Sequence, residues 1–345
     1  MNILLPDGLN KDKTITYSHA GPMFTRNTRK PPAATDGTMQ AVVIRRFGDS
    51  SVLDFDYVDR PEPKLHDVVL RVRAIGINPL DWKTREGRGI WQDDSELPGI
   101  LGWDVAGTVV STGRRVGNFE EGDEVFGLAN YPRGGAYAEY VRVPMEQLVK
   151  KPEGVDHAHA AAVPIAGLTA YQALFEVGRA GDGRRVLIHG AAGGVGHLAV
   201  QLAKHNGAYV VGTGSQRNLE FIRALGADTA IDYGNVQFEH VASPVDLVLD
   251  TVGGEVTERS LDVLARHGVV VTLEGQGRRR GIGAHRVRAV TMRPDPYQLG
   301  QLASLLSDGS LRTSVTTVSG LRGIPDAHRI SETRHVRGKV VVVLE

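Results

Sequence analysis

The residues from Arg185 to Asn218 combine types and spacings that suit the capture of a dinucleotide. An apolar run, Arg185-Val186-Leu187-Ile188-His189, leads into Gly190-Ala191-Ala192-Gly193-Gly194-Val195-Gly196 and then into the amphipathic stretch His197 to Lys204. That is strand, glycine turn and helix in the order a phosphate loop requires. Glycine lets the backbone approach a pyrophosphate, and the free N–H groups at the positive end of the helix dipole hold it. A glycine turn alone is a weak signal. Here the flanking strand, the helix and a second strand, Tyr209 to Thr213, all fall where the motif needs them. The expected contacts are Ala192, Gly193, Gly194, Val195 and Gly196.

A second group selects the cofactor. An NAD site usually carries Asp or Glu about 20 residues past the first glycine, where it accepts from the ribose 2′-OH. This chain has Gly214-Ser215-Gln216-Arg217-Asn218 there, without a carboxylate. An acid would repel a 2′-phosphate, whereas Ser215 can donate to it and Arg217 can pair with it, beside Asn218. The expected cofactor is therefore NADPH rather than NADH. The missing acid carries more of this argument than Arg217, which by itself reads equally well as an exposed arginine at a helix start.

The elements that position these residues fall into two parts. From Met39 to about Val149 the chain is strand-rich, with Gly and Pro at short spacing, which suggests a compact β-barrel-like unit. From about Ala158, helical stretches alternate with the apolar strands Val186–His189, Tyr209–Thr213, Thr229–Asp232, Asp246–Asp250 and Val269–Leu273. This alternation predicts a doubly wound parallel sheet. A helix over Tyr297 to Leu306 and a strand over Val340 to Leu344 close the chain. Residues 1–38 lack periodicity and are rich in Pro and Gly, so they read as a poorly ordered extension.

Composition narrows the function classes. The 345 residues suffice for about two domains. The formal net charge is zero, which gives no electrostatic footprint for nucleic acid or for an anionic membrane surface. Arg278-Arg279-Arg280 is an isolated basic cluster and reads as a solvated loop. The absence of cysteine excludes disulfides, thiolate nucleophiles and cysteine-ligated zinc. His157 and His159 have no third ligand near them in sequence and read as surface histidines. No apolar run reaches membrane-spanning length, so a soluble, cytoplasmic protein is expected.

Several further segments, in order, carry a family resemblance: Gly76-Ile77-Asn78-Pro79-Leu80-Asp81-Trp82-Lys83, Leu101-Gly102-Trp103-Asp104-Val105-Ala106-Gly107, Gly134-Gly135-Ala136-Tyr137-Ala138-Glu139-Tyr140, Ala166 to Tyr171, Leu225 to Asp228 and His335-Val336-Arg337-Gly338-Lys339. With the glycine loop they make Met39 to Glu345 similar to the zinc-independent medium-chain dehydrogenases/reductases, the quinone oxidoreductase and alkenal/enoyl reductase group. The resemblance implies an α/β fold: a GroES-like β-rich catalytic domain, 39–157 and 295–345, plus a Rossmann domain with a doubly wound parallel sheet, 158–294. The cleft between them would hold the nicotinamide. Relatives are often homodimers, joined edge to edge through their Rossmann sheets.

Zinc-dependent relatives place Cys in the segment matching Ile77-Asn78 and His-Glu in the segment matching Trp103-Asp104. Asn and Trp stand here instead, and neither is a useful zinc ligand. Without that Lewis acid, the hydride acceptor must itself stabilise charge, as an enone, enal, enoyl group or quinone does. The resemblance places Asn78 near nicotinamide and substrate, with Asp81 and Lys83 beside it. Lys83 either donates to an enolate or pairs with Asp81. Tyr131, in a Gly/Pro-bounded loop, either reaches the cleft as an acid or lies on the surface. The resemblance also puts Tyr233 beside the 2′-phosphate and Lys339 near the cofactor or a subunit surface. Thr251, in the turn Asp250 to Gly254, should lie under the cofactor at the carboxyl edge of the sheet.

The leading expectation is thus an NADPH-dependent reductase of a small conjugated substrate. Two alternatives stand beside it. One is a dedicated biosynthetic reductase of a conjugated, polyketide-type intermediate, in which hydride addition can trigger ring closure and the divergent stretch Gly275 to Ala289 forms an unusual pocket rim. The other is a non-catalytic NADPH-binding scaffold, which the fold alone does not exclude.

Overall fold

The computed structural model describes residues 37–242, 244–273 and 286–345. Residues 1–36, the arginine cluster at 278–280 and most of the stretch 275–289 lie outside the described residues.

The nucleotide-binding half is a six-stranded parallel sheet. Its strands are Arg185–His189 (β1), Tyr209–Gly214 (β2), Thr229–Asp232 (β3), Val245–Asp250 (β4), Leu264–Thr272 (β5) and Val287–Ala289 (β6), in the order β3-β2-β1-β4-β5-β6. The order reverses between β1 and β4, and the crevice at that switch point is where such sheets take ligands. Val186, Leu187 and Ile188 are fully buried, as expected of a central parallel strand covered on both faces. The helix after the glycine loop, Gly196–His205, buries Gly196 to Ala203 and leaves Lys204 and His205 at its negative end. The chain turns away at Gly207, whose φ of +79° suits glycine.

The other half draws on both ends of the sequence. Its seven-stranded sheet runs Val315–Ser319, Lys339–Val343, Asp67–Ile77, Asp104–Thr112, Glu124–Leu128 and Leu148–Lys150, with Tyr140–Pro144 also pairing onto Asp67–Ile77. A three-stranded sheet built on Thr38–Ile44 covers it, and that strand begins one residue inside the stretch read as extension. The segment Ala136 to Glu139, which alternates like a strand, lies outside the sheet. Its backbone is taken up by Leu101, Gly102 and Val42, and the Glu139 carboxylate accepts the Gln40 N–H at 2.7 Å. This detour carries Tyr137 into the core.

Register gathers the site. Gly76 lies opposite Asp104 on one side and Val341 on the other, and Val340 lies opposite Ile77. Lys339, Asn78 and Asp104 therefore meet at one end of the sheet. Gly76 is needed there, because a Cβ would stand 2.2 Å from the Ala161 carbonyl oxygen.

Candidate functional site

The glycine loop has the build of an anion cradle. Gly190 has a φ of +65°, and a Cβ on it would lie 2.4 Å from Thr251 Oγ1. Thr251 donates to the His189 carbonyl at 2.8 Å, so it supports the start of the loop from below. A Cβ on Gly196 would lie 2.2 Å from the Gly190 carbonyl oxygen, so only glycine permits this tight return. Val195 caps the helix and offers no side-chain hydrogen bond, and of the first amides His197 N already donates to the Gly193 carbonyl at 3.0 Å.

Ser215, Arg217 and Asn218 lie just past the carboxyl end of β2. Asn218 donates to Ser215 Oγ at 3.2 Å, and the Arg217 guanidinium is exposed and donates to the His335 carbonyl at 3.3 Å. Arg337 reaches the same loop, donating to Asn218 Oδ1 at 3.2 Å and to the Arg217 carbonyl at 3.0 Å. Tyr233 follows β3 and is 59 % exposed beside this corner. Asp232, which ends β3, accepts from Gly234 N and Asn235 Nδ2. These residues fit a dinucleotide carrying a 2′-phosphate.

One segment, His335 to Lys339, ties this corner to the catalytic domain. Gly338 N donates to the Ala192 carbonyl at 2.8 Å, and the Lys339 stem lies 3.2 Å from where a Gly194 Cβ would be. The Lys339 ammonium, almost wholly buried, donates to the Ile77 carbonyl at 2.8 Å, to Asn78 Oδ1, and to Asp104 Oδ2 at 3.3 Å. Asn78 in turn donates to Asp104 Oδ2 at 2.9 Å, and Ile165 N donates to Asp104 Oδ1 at 2.8 Å. Burial pushes the Asp104 carboxyl up, and Lys339 is the strongest influence holding it down. The Asn78 amide is thus consumed inside the protein, with its oxygen and its nitrogen both engaged.

Asp81 sits at the third position of the helix Pro79–Arg85 and accepts the Asn78 N–H at 2.6 Å, which closes a capping box. It is fully buried. Among the described residues its second oxygen has no hydrogen-bond partner, and burial pushes its pKa up to about 7. Lys83, two positions on, does not share its helix face. Asp81 instead looks toward Tyr137, Asp104 and Lys339, whereas the Lys83 ammonium lies 5.7 Å from the Trp82 ring centre.

Behind Asp81 runs a buried chain that the sequence reading missed. Tyr137 OH is 2.7 Å from His328 Nε2, and His328 Nδ1 is 3.1 Å from Arg85 Nη1. Arg85 also pairs with Glu332 at 2.6 Å and Glu86 at 3.0 Å. Arginine only donates, so His328 Nδ1 accepts, its Nε2 carries the proton and donates to Tyr137, and the tyrosine hydrogen is left to face Asp81. Burial and Arg85 lower the His328 pKa to about 3, which keeps the ring neutral. His328 was detectable in principle: with Ile324 and Ala327 it forms the buried stripe of the helix Ile324–Glu332.

Tyr131 is half-buried. Its backbone is clamped by Gln147 at 2.8 and 3.1 Å, and burial raises its phenol pKa. Trp103 is fully buried and its indole N–H donates to the Pro132 carbonyl at 3.1 Å. These segments fit a zinc ion poorly: one offers an N–H donor and the Asp104 carboxylate, already bonded to Asn78, Ile165 N and Lys339, and the other an amide already bonded. Among the described residues no group of three or more His, Asp or Glu side chains could hold a metal.

Comparison with known proteins agrees with this build. Residues 64–153 match the description "Alcohol dehydrogenase GroES-like domain", and residues 225–342 match "Zinc-binding dehydrogenase". The chain is 35 % identical over 315 residues to the chloroplastic NADPH-dependent alkenal/one oxidoreductase of Arabidopsis thaliana, covering 88 % of this chain and 79 % of that one. The quinone oxidoreductase of Coxiella burnetii superposes with a TM-score of 0.83 at 37 % identity, covering 89 % of this chain and all of the other. The Escherichia coli quinone oxidoreductase complexed with NADPH superposes with a TM-score of 0.78 at 27 % identity, covering 88 % and 99 %. The chain belongs to the quinone oxidoreductase and alkenal reductase-like group of the medium-chain dehydrogenase/reductase superfamily, and it is an NAD(P)H oxidoreductase.

Proposed function

We propose that the protein uses NADPH to reduce a conjugated acceptor, an enone, enal or quinone, without a metal. The observation that carries this reading is the Lys339–Asn78–Asp104 cluster. Its polar groups are bonded to one another, so they offer no Lewis acid for the alkoxide that a saturated ketone would form. A conjugated acceptor spreads that charge itself. NADPH, when bound, supplies the hydride. The chain orients it through the glycine loop and discriminates the 2′-phosphate through Ser215 and Arg217. The NADPH complex of the Escherichia coli relative and the name of the Arabidopsis relative support this preference.

Of the four candidate catalytic side chains, Asn78 and Asp81 are enclosed, whereas Lys83 and Tyr131 are partly exposed. Lys83 and Tyr131 are the proposed hydrogen-bond donors to the enolate oxygen and the proposed proton source. The test is NADPH oxidation against matched enones, quinones and saturated ketones. Turnover of enones or quinones alone is expected, with kcat in Lys83→Met lowered by about 10²–10³-fold. Efficient reduction of saturated ketones, with none of enones or quinones, refutes the assignment.

A further inference from the structure

Two guanidinium groups from different halves of the molecule meet at the nucleotide corner. Arg217 follows β2, and Arg337 belongs to the segment His335 to Lys339 that leads into the catalytic domain. They are laced crosswise. Arg217 donates to the His335 carbonyl at 3.3 Å, and Arg337 donates to the Arg217 carbonyl at 3.0 Å. The Arg337 guanidinium also lies 4.9 Å from the Phe221 ring centre, a cation–π contact that steadies it. Among the described residues neither arginine has a carboxylate partner, whereas Arg259 and Arg293 each find one. Two like charges so placed repel each other, and an anion shared by both replaces that repulsion with attraction.

Arg337 also orients Ser215. An arginine only donates, so the oxygen of the Asn218 amide is the atom that faces Arg337, at 3.2 Å. The amide nitrogen is then turned to Ser215 Oγ and donates to it at 3.2 Å. Among the described residues the Ser215 hydroxyl hydrogen has no acceptor, so it is left to donate to a ligand oxygen. On its other side the segment has no slack. Gly338 N donates to the Ala192 carbonyl at 2.8 Å, and Lys339 N donates to the Ser314 carbonyl at 2.9 Å. A Cβ on Gly338 would stand 2.0 Å from the Ser314 carbonyl oxygen. Just beyond, the Lys339 ammonium enters the cluster with Asn78 and Asp104.

We propose that Arg337 is a second ligand of the cofactor's 2′-phosphate, given by the catalytic half, and that the phosphate thereby fixes the segment that carries Lys339. This role rests on the NADPH reading and deepens it. The 2′-phosphate is gripped from both halves, so the identity of the cofactor reaches the buried cluster through the chain from His335 to Lys339.

The test uses the full chain and two nucleotides that lack nicotinamide, adenosine 2′,5′-bisphosphate and adenosine 5′-monophosphate. Calorimetry reads affinity, and hydrogen exchange reads the backbone amides of residues 334–343 at saturating nucleotide. The wild type should bind the bisphosphate at least about tenfold more tightly, as a charge-assisted contact allows. It should also exchange the Gly338 and Lys339 amides several-fold more slowly with the bisphosphate than with the monophosphate. Arg337→Gln should lose most of both differences, and Arg337→Lys should regain part of the affinity. If Arg337→Gln keeps the full preference while Arg217→Ala loses it, the NADPH reading stands and the role of Arg337 is overturned. An Arg337→Gln variant that binds both nucleotides equally less well marks a structural residue and also overturns it. Equal exchange with the two nucleotides in the wild type refutes the coupling to Lys339. A wild type with no preference for the bisphosphate refutes the 2′-phosphate reading itself, and this proposal with it.

Discussion

Replacing Lys339 by methionine isolates what the buried cluster contributes. Methionine fills much of the lysine stem's volume but removes an ammonium that three acceptors share. Lys339 and Asp104 are 4 % and 0 % exposed, so water cannot take over from the lost partner. Removing one member of a buried pair costs about 3–5 kcal/mol, a large share of the roughly 5–15 kcal/mol that holds a typical protein folded. The deficit should depend on pH in a definite direction. Burial already raises the Asp104 carboxyl and Lys339 holds it down, so the variant's folded-state pKa should rise further above the unfolded value of 3.8. A group raised in this way contributes stability while it is protonated and loses it as pH climbs through the folded value. The gap between wild type and Lys339→Met should therefore be smallest toward the unfolded value of 3.8 and widen as pH rises from there to neutral. Urea unfolding of the NADPH-free protein across that range measures it. Adding Asp104→Asn should recover most of the loss at the higher pH, since no charge is then stranded. A deficit under about 1 kcal/mol at every pH, or a double variant no more stable than Lys339→Met, refutes the reasoning.

Arg217→Ala should weaken NADPH more than NADH, by about 1.5–3 kcal/mol in a calorimetric titration; an equal change for both cofactors contradicts the 2′-phosphate assignment. Gly196→Ala drives a methyl group to 2.2 Å from the Gly190 carbonyl, so NADPH should bind at least about tenfold more weakly with a lower melting temperature; an unchanged Kd argues against the tight return. His197 is buried with its pKa lowered to about 4 from 6.5, so its contribution is intact above pH 6.5 and is lost as pH falls toward 4. His197→Leu should flatten acid unfolding over that window by about 3 kcal/mol, from about 2.5 pH units at 1.36 kcal/mol each, and a profile identical to wild type disproves the linkage.

The nucleotide half was legible because its signals are local. Strand, glycine turn and helix follow one another from Arg185 to Lys204, and the buried face of the helix recurs at helical spacing. The buried Lys339–Asn78–Asp104 cluster was not, because its members meet only through strand register: Lys339 and Asp104 are 235 positions apart. Asp104 was read only as a position unsuited to zinc, although an acid inside the apolar run Leu101 to Val110 needs a buried partner. Tyr137 was hidden for another reason. Ala136 to Val143 alternates like one strand, but only Tyr140–Pro144 enters the sheet, and nothing local marks the turn that sends Tyr137 inward. A pair with Asp81, one of the two roles read for Lys83, rested on proximity in sequence, and residues two positions apart on a helix do not share a face.

The inner position of Lys339–Val343 also sets the order in which the molecule can be completed during synthesis. That strand lies between Val315–Ser319 and Asp67–Ile77, so the edge of Asp67–Ile77 from Ala74 to Ile77 stays open until Lys339–Val343 leaves the ribosome. The Rossmann strands, all contained between Arg185 and Ala289, have no such dependence and can assemble first. Until Lys339–Val343 emerges, the edge from Ala74 to Ile77 is unpaired, open to chaperones and to mispairing with other chains. Arrival of Lys339–Val343 ends that exposure and delivers Lys339 to Asn78 and Asp104 in the same step, so the buried polar cluster forms only after that strand is made.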